Sequence, residues 1–484
     1  MQRFKLHLLL SAVALVIAAP LHAGVDGGDV VTVTDAEALA QDSKAYARAY
    51  GVSFEEAGRR MLLMHDSGNQ TGQIEAANAD QLAGAYFDHS NGFEYVVRVT
   101  GKAGKGPAKL ERQAARAEAR ALRTALKDAE KDGAAAERRR ERLGKKGLTE
   151  QELATAEQLI DSSQSAIVEF KTNAGKVEKV ARQTIRSNRK AIADLLGIQK
   201  FGHGYNVRTG EYRIMITAQG AEAARLAAKK AELETLLGGP VALEIEATPT
   251  TLDHTRGGVA LNIASTSTGH DCTSGFVGYE GTDRTKLGVL TAGHCRNSYY
   301  FKNPYDSSNY LVSVPANREA FNSGMDMQWM TAAHVAEGLF YADHSSSVRT
   351  VTGYRSRENT SDTGIFGTAD GSFVCHYGKT TGQSCGEVYD KWAAPDYSGS
   401  GCSTGTTYVA CDDEFVEVRN KVVAGETQLA CYGGDSGGPW FAYGVAFGIH
   451  SGGSKTGSAP GQCTKAFYTP IEKANNINVT IFIP

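Results

Sequence analysis

Cysteine is missing from the first 271 of the 484 residues, and all eight cysteines lie at or after position 272. No segment after the N-terminus has the roughly 18 apolar residues that a membrane-spanning helix needs, so we expect no membrane span. The net formal charge is only −3, from 51 basic and 54 acidic residues. Because nucleic-acid-binding proteins are usually clearly basic, this balance disfavours that class.

Motifs for cofactors and metals are also absent. The sequence contains no phosphate-binding glycine loop, no H-E-x-x-H motif and no EF-hand pattern, so we expect no cofactor. The cysteines show no paired C-x-x-C spacing, which disfavours a zinc site. A hydrophobic fraction of 41% excludes a wholly disordered chain, and 54 glycines favour a turn-rich β structure over part of it.

The N-terminus has the pattern of a secretory signal peptide, which we assign to residues 1–23. Arg3 and Lys5 precede an apolar stretch from Leu8 to Ala19, and small residues follow near Ala23. The apolar stretch is too short to span a bilayer comfortably. An even number of cysteines in an exported chain predicts a disulfide framework, for which eight cysteines allow 105 pairings. We therefore expect a secreted, extracellular protein.

Composition divides the rest of the chain near residue 250. Residues 24–250 are rich in Ala, Glu, Lys and Arg and predict an α+β region. Three capping-box patterns mark helix starts: Thr34 with Glu37, Ser53 with Glu56, and Thr149 with Glu152. After the second of these, apolar residues repeat at helical spacing at Phe54, Ala57, Met61 and Met64. Two strand-like segments interrupt the helices, Phe93 to Thr100 and Tyr205 to Thr217.

Residues 102–146 form a basic stretch with 15 basic and 7 acidic residues. The mixture of Ala, Arg, Glu and Leu is typical of a solvated helical hairpin, and a nucleic-acid or membrane patch is the alternative. From about Gly257 onwards, short alternating runs such as Tyr310 to Val314 and Phe415 to Val418 are separated by Gly, Ser, Asn and Asp. That pattern predicts an all-β sandwich or barrel over 251–484.

Three segments of the β-rich part contain residues suited to catalysis. His294 ends an apolar run, Asp326 lies among apolar residues, and Ser436 stands in the run G-G-D-S-G-G-P. A serine hydroxyl becomes nucleophilic when a base removes its proton and a carboxylate orients that base. We assign these roles to Ser436, His294 and Asp326, respectively. Taken by itself, the histidine could be a core residue, and the aspartate could cap a turn.

The glycines beside the serine predict an oxyanion hole. They let the backbone turn so that the amides of Gly434 and Ser436 converge on one point. Ser436 also fits the G-x-S-x-G elbow of α/β-hydrolases, in which the acid and then the histidine follow the serine. Only His450 follows here, 14 residues later. The order His294, Asp326, Ser436 instead matches the chymotrypsin-like group.

On these motifs the sequence resembles chymotrypsin-like serine endopeptidases of the bacterial streptogrisin and α-lytic protease branch. The resemblance rests on L-T-A-G-H-C, M-D-M-Q-W, V-C-H-Y-G-K-T-T-G-Q-S-C-G, G-G-D-S-G-G-P and G-I-H-S-G-G. It implies a double six-stranded antiparallel β-barrel with the active site between the barrels. It also implies that Ser451 supports Asp326.

The resemblance also suggests the disulfide connectivity. The implied pairs are Cys272 with Cys295, Cys375 with Cys385, and Cys431 with Cys463. Cys402 and Cys411 are then left to pair with each other across an insertion.

The first part of the chain resembles the long pro-regions of this branch, in 46–64, 82–100 and 176–217. Such pro-regions assist folding and then inhibit the protease until self-cleavage. This implies a zymogen with a helical insertion at about 101–160 and a cut between Ala247 and Arg256. The expected partners are protein or peptide substrates and the chain's own pro-region, and we expect a monomeric mature form. A non-catalytic, protease-like binding protein is the alternative.

Substrate preference depends on the residues near the serine. Leu429-Ala430-Cys431 lacks the aspartate of a trypsin-like pocket, while Gly452 and Gly453 are expected to leave the pocket open. In glutamate-specific members of the branch, a histidine at the place of His450 binds the substrate carboxylate. We therefore assign His450, Ser451, Gly452 and Gly453 to substrate binding, with either an acidic or a broad, apolar preference.

Overall fold

A computed structural model describes the chain in segments. These are residues 3–6, 31–66, 68–90, 92–100, 149–161, 166–171, 177–198, 201–246, 251–252, 260–263, 270–302, 309–331, 338–342, 347–357, 368–397, 401–403, 407–421, 429–455 and 461–484. Most of the predicted signal peptide, the basic stretch 102–146 and most of the expected cleavage window therefore lie outside the described residues.

Among the described residues, the helices belong to the first half of the chain, apart from one 3₁₀ helix at Ile471–Ile477. The α-helices of the described residues, α1 to α7, are Asp35–Tyr50, Phe54–Asp66, Gly68–Ala77, Glu150–Asp161, Glu178–Leu196, Gly220–Ala227 and Lys230–Leu237. The predicted capping box at Thr34 is confirmed, because its side chain accepts from the Glu37 amide while Glu37 accepts from the Thr34 amide. Thr149 and Glu152 exchange the same two bonds at the start of α4.

The described strands of the first 246 residues form two small mixed sheets and contribute one strand to a third sheet. The strands β1 to β8 are Arg3–Leu6, Val31–Val33, Leu82–Asp88, Glu94–Val99, Ala166–Lys171, Gly202–Asn206, Glu211–Thr217 and Val241–Glu246. One sheet has the order β1-β5-β4-β3 and another the order β6-β7-β8. Both predicted strand segments are present, the second as a hairpin that turns at Gly210, where φ is +77°.

The remaining strands form an almost entirely antiparallel β-rich region. The strands β9 to β18 are Thr251–Leu252, Ala260–Asn262, His270–Thr273, Val277–Glu280, Asp283–Thr291, Ser298–Lys302, Asn309–Ser313, Glu319–Asn322, Met325–Thr331 and Leu339–Tyr341. The strands β19 to β27 are Ser347–Thr350, Gly353–Tyr354, Phe373–Gly378, Gly382–Ala393, Phe415–Arg419, Pro439–Ala442, Val445–Lys455, Cys463–Pro470 and Val479–Ile481.

Apart from β18 and β19, which form a three-stranded sheet with β2, these strands make two large sheets. The first has nine strands in the order β11-β10-β14-β15-β17-β13-β12-β27, with β16 paired to β17. The second has the order β20-β25-β24-β21-β22-β23-β26, and β26 also pairs with β25. That extra pairing closes six of its strands into a barrel, since β25 meets both β24 and β26. An all-β region with this arrangement agrees with the sequence-based expectation.

The N-terminal region, residues 31–246, packs directly on the β-rich region, residues 260–484. β2 adds in parallel to β19, and the backbones of His203 and Ala394 exchange two hydrogen bonds of 3.1 and 2.8 Å. Three ion pairs between buried side chains cross this contact: Asp42 with Arg349, Arg182 with Asp390, and Arg213 with Glu417. Buried charges are costly unless paired, so these pairs tie the two regions to one relative position.

Apolar packing across the contact is equally close. Tyr46 of α1 meets Phe373 of β21 edge-on, with ring centroids 5.2 Å apart. Both belong to one buried cluster that also includes Phe87 of β3, together with Trp329 and Trp440 from the two large sheets. The two regions thus share a hydrophobic core. Among the described residues, no helix combines the length and apolar character that crossing a membrane requires.

His203 provides a test of this buried contact. Its ring is fully buried, and neither ring nitrogen has a hydrogen-bond partner among the described residues. Burial, and then the charges of Arg189, Arg186 and Arg182, lower the pKa of His203 from 6.5 to about 3. The unfolded chain therefore takes up a proton below pH 6.5 that the folded chain does not, and stability falls as the pH falls from 6.5 towards 3.

We predict that His203→Phe removes this contribution. Between pH 7.5 and 5.5 the histidine lowers the free energy of unfolding by about 1.4 kcal/mol, and the variant lacks that loss. Urea unfolding at both pH values, with Ser436→Ala in both chains to prevent digestion, measures the difference. Equal pH dependence in the variant and its parent would contradict the prediction.

Candidate active site

His294, Asp326 and Ser436 come together between the two large sheets. His294 follows β13, Asp326 lies on β17 of the same sheet, and Ser436 precedes β24 of the other sheet. The Nδ1 atom of His294 is 2.7 Å from Asp326 Oδ2, and its Nε2 atom is 2.9 Å from Ser436 Oγ. All three side chains are almost completely buried. Residues 142 positions apart in the chain therefore form one continuous hydrogen-bonded row.

The surroundings of Asp326 fix its orientation. Its Oδ1 atom accepts from the backbone amide of His294 at 2.8 Å, and its Oδ2 atom also accepts from the Ser451 hydroxyl. The Tyr397 hydroxyl in turn donates to Ser451 Oγ at 2.7 Å. Thr469 accepts from the Asp326 amide at 3.1 Å and donates to its carbonyl at 3.0 Å. Carboxylate and backbone are both held by donors and acceptors from other strands.

This bonding pattern decides which nitrogen of His294 carries the proton. An ionised carboxylate only accepts hydrogen bonds, so Nδ1 beside Asp326 is the protonated nitrogen. Nε2 then has a lone pair and accepts from the Ser436 hydroxyl. The row can move the hydroxyl proton onto the imidazole, while the carboxylate stabilises the imidazolium that forms.

The loop that carries the serine depends on two glycines in backbone conformations that other residues rarely adopt. The φ angle is +99° at Gly434 and +89° at Gly437. A Cβ atom on Gly437 would lie 2.0 Å from Thr291 Oγ1 and 2.2 Å from the Thr273 carbonyl oxygen. The Gly437 amide donates to the His450 carbonyl at 2.8 Å. The loop therefore packs tightly between the two sheets, and no side chain larger than the hydrogen of glycine fits at position 437.

Asp435 holds the same loop from inside. Its carboxylate accepts from the amides of Thr380, Thr381 and Tyr432 at 3.1, 3.3 and 2.8 Å, and from the Thr381 hydroxyl at 2.8 Å. These neutral donors satisfy a carboxylate that is completely buried. The backbone from Gly434 to Ser436, whose two amides we assign to an oxyanion hole, is therefore anchored at its central residue.

The four residues assigned to substrate binding lie in succession on β25. The His450 ring is buried beside Trp440, whose indole Nε1 donates to His450 Nδ1 at 3.3 Å. On its other side, the His376 ring lies parallel to it with centroids 5.0 Å apart. Gly452 and Gly453 form backbone pairs with Leu252 and Thr251 of β9. A Cβ atom on Gly453 would lie 2.5 Å from Cys431 Sγ, so a side chain there would collide with the neighbouring disulfide.

Sequence reasoning did not identify His376, Trp440, Tyr397 or Thr469 as part of this site. His376 lies in the quoted V-C-H-Y-G motif, and its Nε2 donates to the Ala430 carbonyl at 2.6 Å. Burial, and then the nearby His450, lower the pKa of His376 to about 3, so it is neutral. The only sequence signal for His376 was its position inside that motif, and Trp440 directly follows the motif G-G-D-S-G-G-P.

Four disulfides brace the strands around the site. They join Cys272 to Cys295, Cys375 to Cys385, Cys402 to Cys411, and Cys431 to Cys463. The first, second and fourth are the pairs that the resemblance implied, and the third joins the two cysteines that were left over. In the chain, Cys295 of the first bridge directly follows His294, and Cys431 of the last bridge lies five residues before Ser436. Disulfides of this number fit an oxidising, extracellular compartment.

Comparison with known proteins adds structural likenesses. No protein-family model matches the chain, and no curated protein matches it. Among solved structures, the chymotrypsin of Cellulomonas bogoriensis is 23% identical, with 44% of this chain and 92% of that chain covered and a TM-score of 0.31. Nocardiopsis protease is 21% identical, with coverages of 43% and 92% and a TM-score of 0.31.

A third structure is described as a glutamic-acid-specific serine protease that uses a histidine triad in substrate binding. It is 21% identical, with coverages of 44% and 93% and a TM-score of 0.31. The chain is similar to bacterial chymotrypsin-like serine proteases.

We predict that Gly437→Ala disrupts the serine loop. The added methyl group collides with Thr291 and Thr273 and meets an unfavourable φ, so we expect a loss of about 2–4 kcal/mol in unfolding free energy. Gly92→Ala is the matched control, because Gly92 has a φ of +81° but no atom within 4 Å of the added carbon. It is expected to cost about 1 kcal/mol, from φ alone. Urea unfolding measures both, and equal costs would refute the steric argument.

Proposed function

We propose that the chain is a serine endopeptidase made as a zymogen, with His294, Asp326 and Ser436 as its catalytic triad. The observation that carries this proposal is the continuous row Asp326–His294–Ser436, with its contacts of 2.7 and 2.9 Å. The row is supported by Ser451, which binds the carboxylate of Asp326, and by Asp435, which anchors the serine loop.

In the proposed reaction, Ser436 Oγ attacks the carbonyl carbon of the peptide bond while His294 Nε2 takes the hydroxyl proton. The amides of Gly434 and Ser436 stabilise the oxyanion, and His294 then protonates the leaving amine. Water, activated by the same histidine, hydrolyses the acyl-enzyme ester and restores the serine. Hydrogen bonds of the ground state already align the serine and the histidine for the first step.

We further propose that the N-terminal region is a pro-region that stabilises and blocks the protease. Support comes from the shared core, the strand β2 on β19 and the three buried ion pairs. In addition, Arg189 of α5 binds Asp412 at 2.5 Å, and Asp412 Oδ2 accepts from Ser323 at 2.6 Å. Through this link the N-terminal region reaches the turn just before β17, which carries Asp326.

For substrate preference we propose an acidic side chain before the cut bond, bound by His450. Indole Nε1–H of Trp440 only donates, so His450 Nδ1 must be the acceptor, and the neutral ring then carries its proton on Nε2. That tautomer is a hydrogen-bond donor suited to a carboxylate. A broad or apolar preference is the alternative.

We predict that Ser436→Ala abolishes processing and peptide hydrolysis. Loss of the nucleophile is expected to lower the rate by on the order of 10⁵–10⁶-fold, so the secreted variant stays at full length. Intact-mass measurement and a casein digestion assay check this beside Ser90→Ala, which changes an exposed serine of the N-terminal region that hydrogen-bonds to Asp88. If wild type and both variants behave alike, without cutting, the chain is a protease-like binding protein.

We predict that His450→Val lowers the preference of the enzyme for an acidic residue before the cut bond. A charge-assisted hydrogen bond contributes about 1.5–3 kcal/mol, so the ratio of kcat/KM for paired peptides with Glu or Phe before the cut falls at least about tenfold. Trp440→Phe keeps an aromatic ring but removes the indole donor, and we expect a smaller fall in the same direction. Little or no wild-type cleavage after Glu would contradict the acidic preference.

A further inference from the structure

The hydroxyl of Tyr397 is joined to the proposed triad through one intermediate side chain. It lies 2.7 Å from Ser451 Oγ, and the Ser451 hydroxyl in turn binds Asp326 Oδ2. The same Oδ2 atom is 2.7 Å from His294 Nδ1. Ser451 and Tyr397 therefore extend the row of hydrogen bonds beyond the carboxylate, on the side away from His294.

The chemistry of the three groups fixes the direction of both bonds. An ionised carboxylate only accepts hydrogen bonds, so Ser451 directs its single proton towards Asp326. Ser451 Oγ must then accept in the second bond, which makes the Tyr397 hydroxyl the donor. A proton from Tyr397 on the serine oxygen favours the orientation in which the serine proton points at Asp326. It also polarises the serine hydroxyl and makes it a stronger donor.

Packing holds the Tyr397 ring in place. The side chain is completely buried, and the rings of Phe415 and Phe467 meet it edge-on, each with centroids 6.2 Å apart. Phe415 lies on β23 and Phe467 on β26, and β26 pairs with β25, the strand that carries Ser451. The barrel core of the β-rich region thus sets the position of the tyrosine hydroxyl relative to Ser451, and these contacts do not involve the N-terminal region.

We propose that Tyr397 is a positioning residue for the triad, which acts through Ser451 to hold the Asp326 carboxylate in the orientation that His294 needs. This inference rests on the proposed serine endopeptidase function. In this role Tyr397 takes no part in making or breaking bonds of the substrate. Its hydroxyl therefore affects the rate of the chemical step, measured by kcat, and leaves substrate binding unchanged.

The first test compares the peptide hydrolysis of secreted wild-type enzyme with that of Tyr397→Phe. The substitution keeps the ring between Phe415 and Phe467 and removes only the hydroxyl. We expect kcat to fall about three- to tenfold, the change in rate that corresponds to the net free energy of one hydrogen bond, while KM stays within about twofold. Titration with a serine-directed acylating reagent gives the concentration of active sites, so a misfolded fraction does not lower kcat.

Tyr389→Phe is the matched control. It makes the same change eight residues earlier, on β22, where the tyrosine hydroxyl accepts a hydrogen bond from Asn206 of the N-terminal region. We expect its kcat and KM to equal those of the wild type.

A double-mutant cycle tests whether Tyr397 acts through Ser451. Ser451→Ala removes the intermediate hydroxyl, so in that background Tyr397→Phe is expected to change kcat by less than about twofold. A tyrosine hydroxyl that only stabilised the fold, or that acted on the substrate directly, would lower kcat by the same factor in both backgrounds.

The pH profile of kcat/KM gives a second readout that a purely structural role would not change. Without the Tyr397 donor, Ser451 is a weaker donor to Asp326, and the carboxylate stabilises the protonated ring of His294 more strongly. We therefore expect the acidic limb of the profile to move to higher pH in Tyr397→Phe and to stay in place in Tyr389→Phe.

The outcomes separate this inference from the proposed function. A Tyr397→Phe enzyme with wild-type kcat and an unshifted acidic limb, or losses that multiply in the cycle with Ser451→Ala, overturn the role of Tyr397 while the endopeptidase function stands. A wild-type protein that hydrolyses no supplied protein or peptide overturns both.

Discussion

The Asp326 carboxylate is the point on which the geometry of the site depends. It lies on β17 of the nine-stranded sheet, and it binds the backbone and ring of His294 as well as the hydroxyl of Ser451 on β25 of the other sheet. One buried group therefore positions His294 and ties the two sheets together. A shift of either sheet would break bonds to a buried charge, which costs far more than an exposed contact.

The contact between the N-terminal and β-rich regions uses a similar principle on a larger scale. Arg349 with Asp42 and Arg213 with Glu417 are completely or almost completely buried, each with one partner from each region. Such pairs contribute little net stability, but removing one partner is expensive. They therefore select one docked arrangement, and the apolar cluster around Tyr46 and Phe373 supplies the burial that favours docking.

Much of this organisation was predictable from local sequence. The capping boxes at Thr34 and Thr149 marked helix starts, because a side chain and an amide three residues apart satisfy each other without help from the rest of the fold. The strand segments and the all-β character of the second part followed from alternation and turn residues. His376 and Trp440 gave no such signal, because their contact with His450 joins three separate strands and leaves no periodic pattern.

The sequence by itself determined which residues can do chemistry: a serine among glycines, a histidine and an aspartate in the order of one protease group, and eight cysteines available for bridges. Tertiary structure alone decided their relation. The distance of 2.9 Å between His294 and Ser436, the tautomer of His450 and the register of β9 on β25 all depend on strands far apart in the chain. The physical reason is that residue types and short spacings are local, whereas hydrogen-bond direction and burial are set by how whole sheets pack.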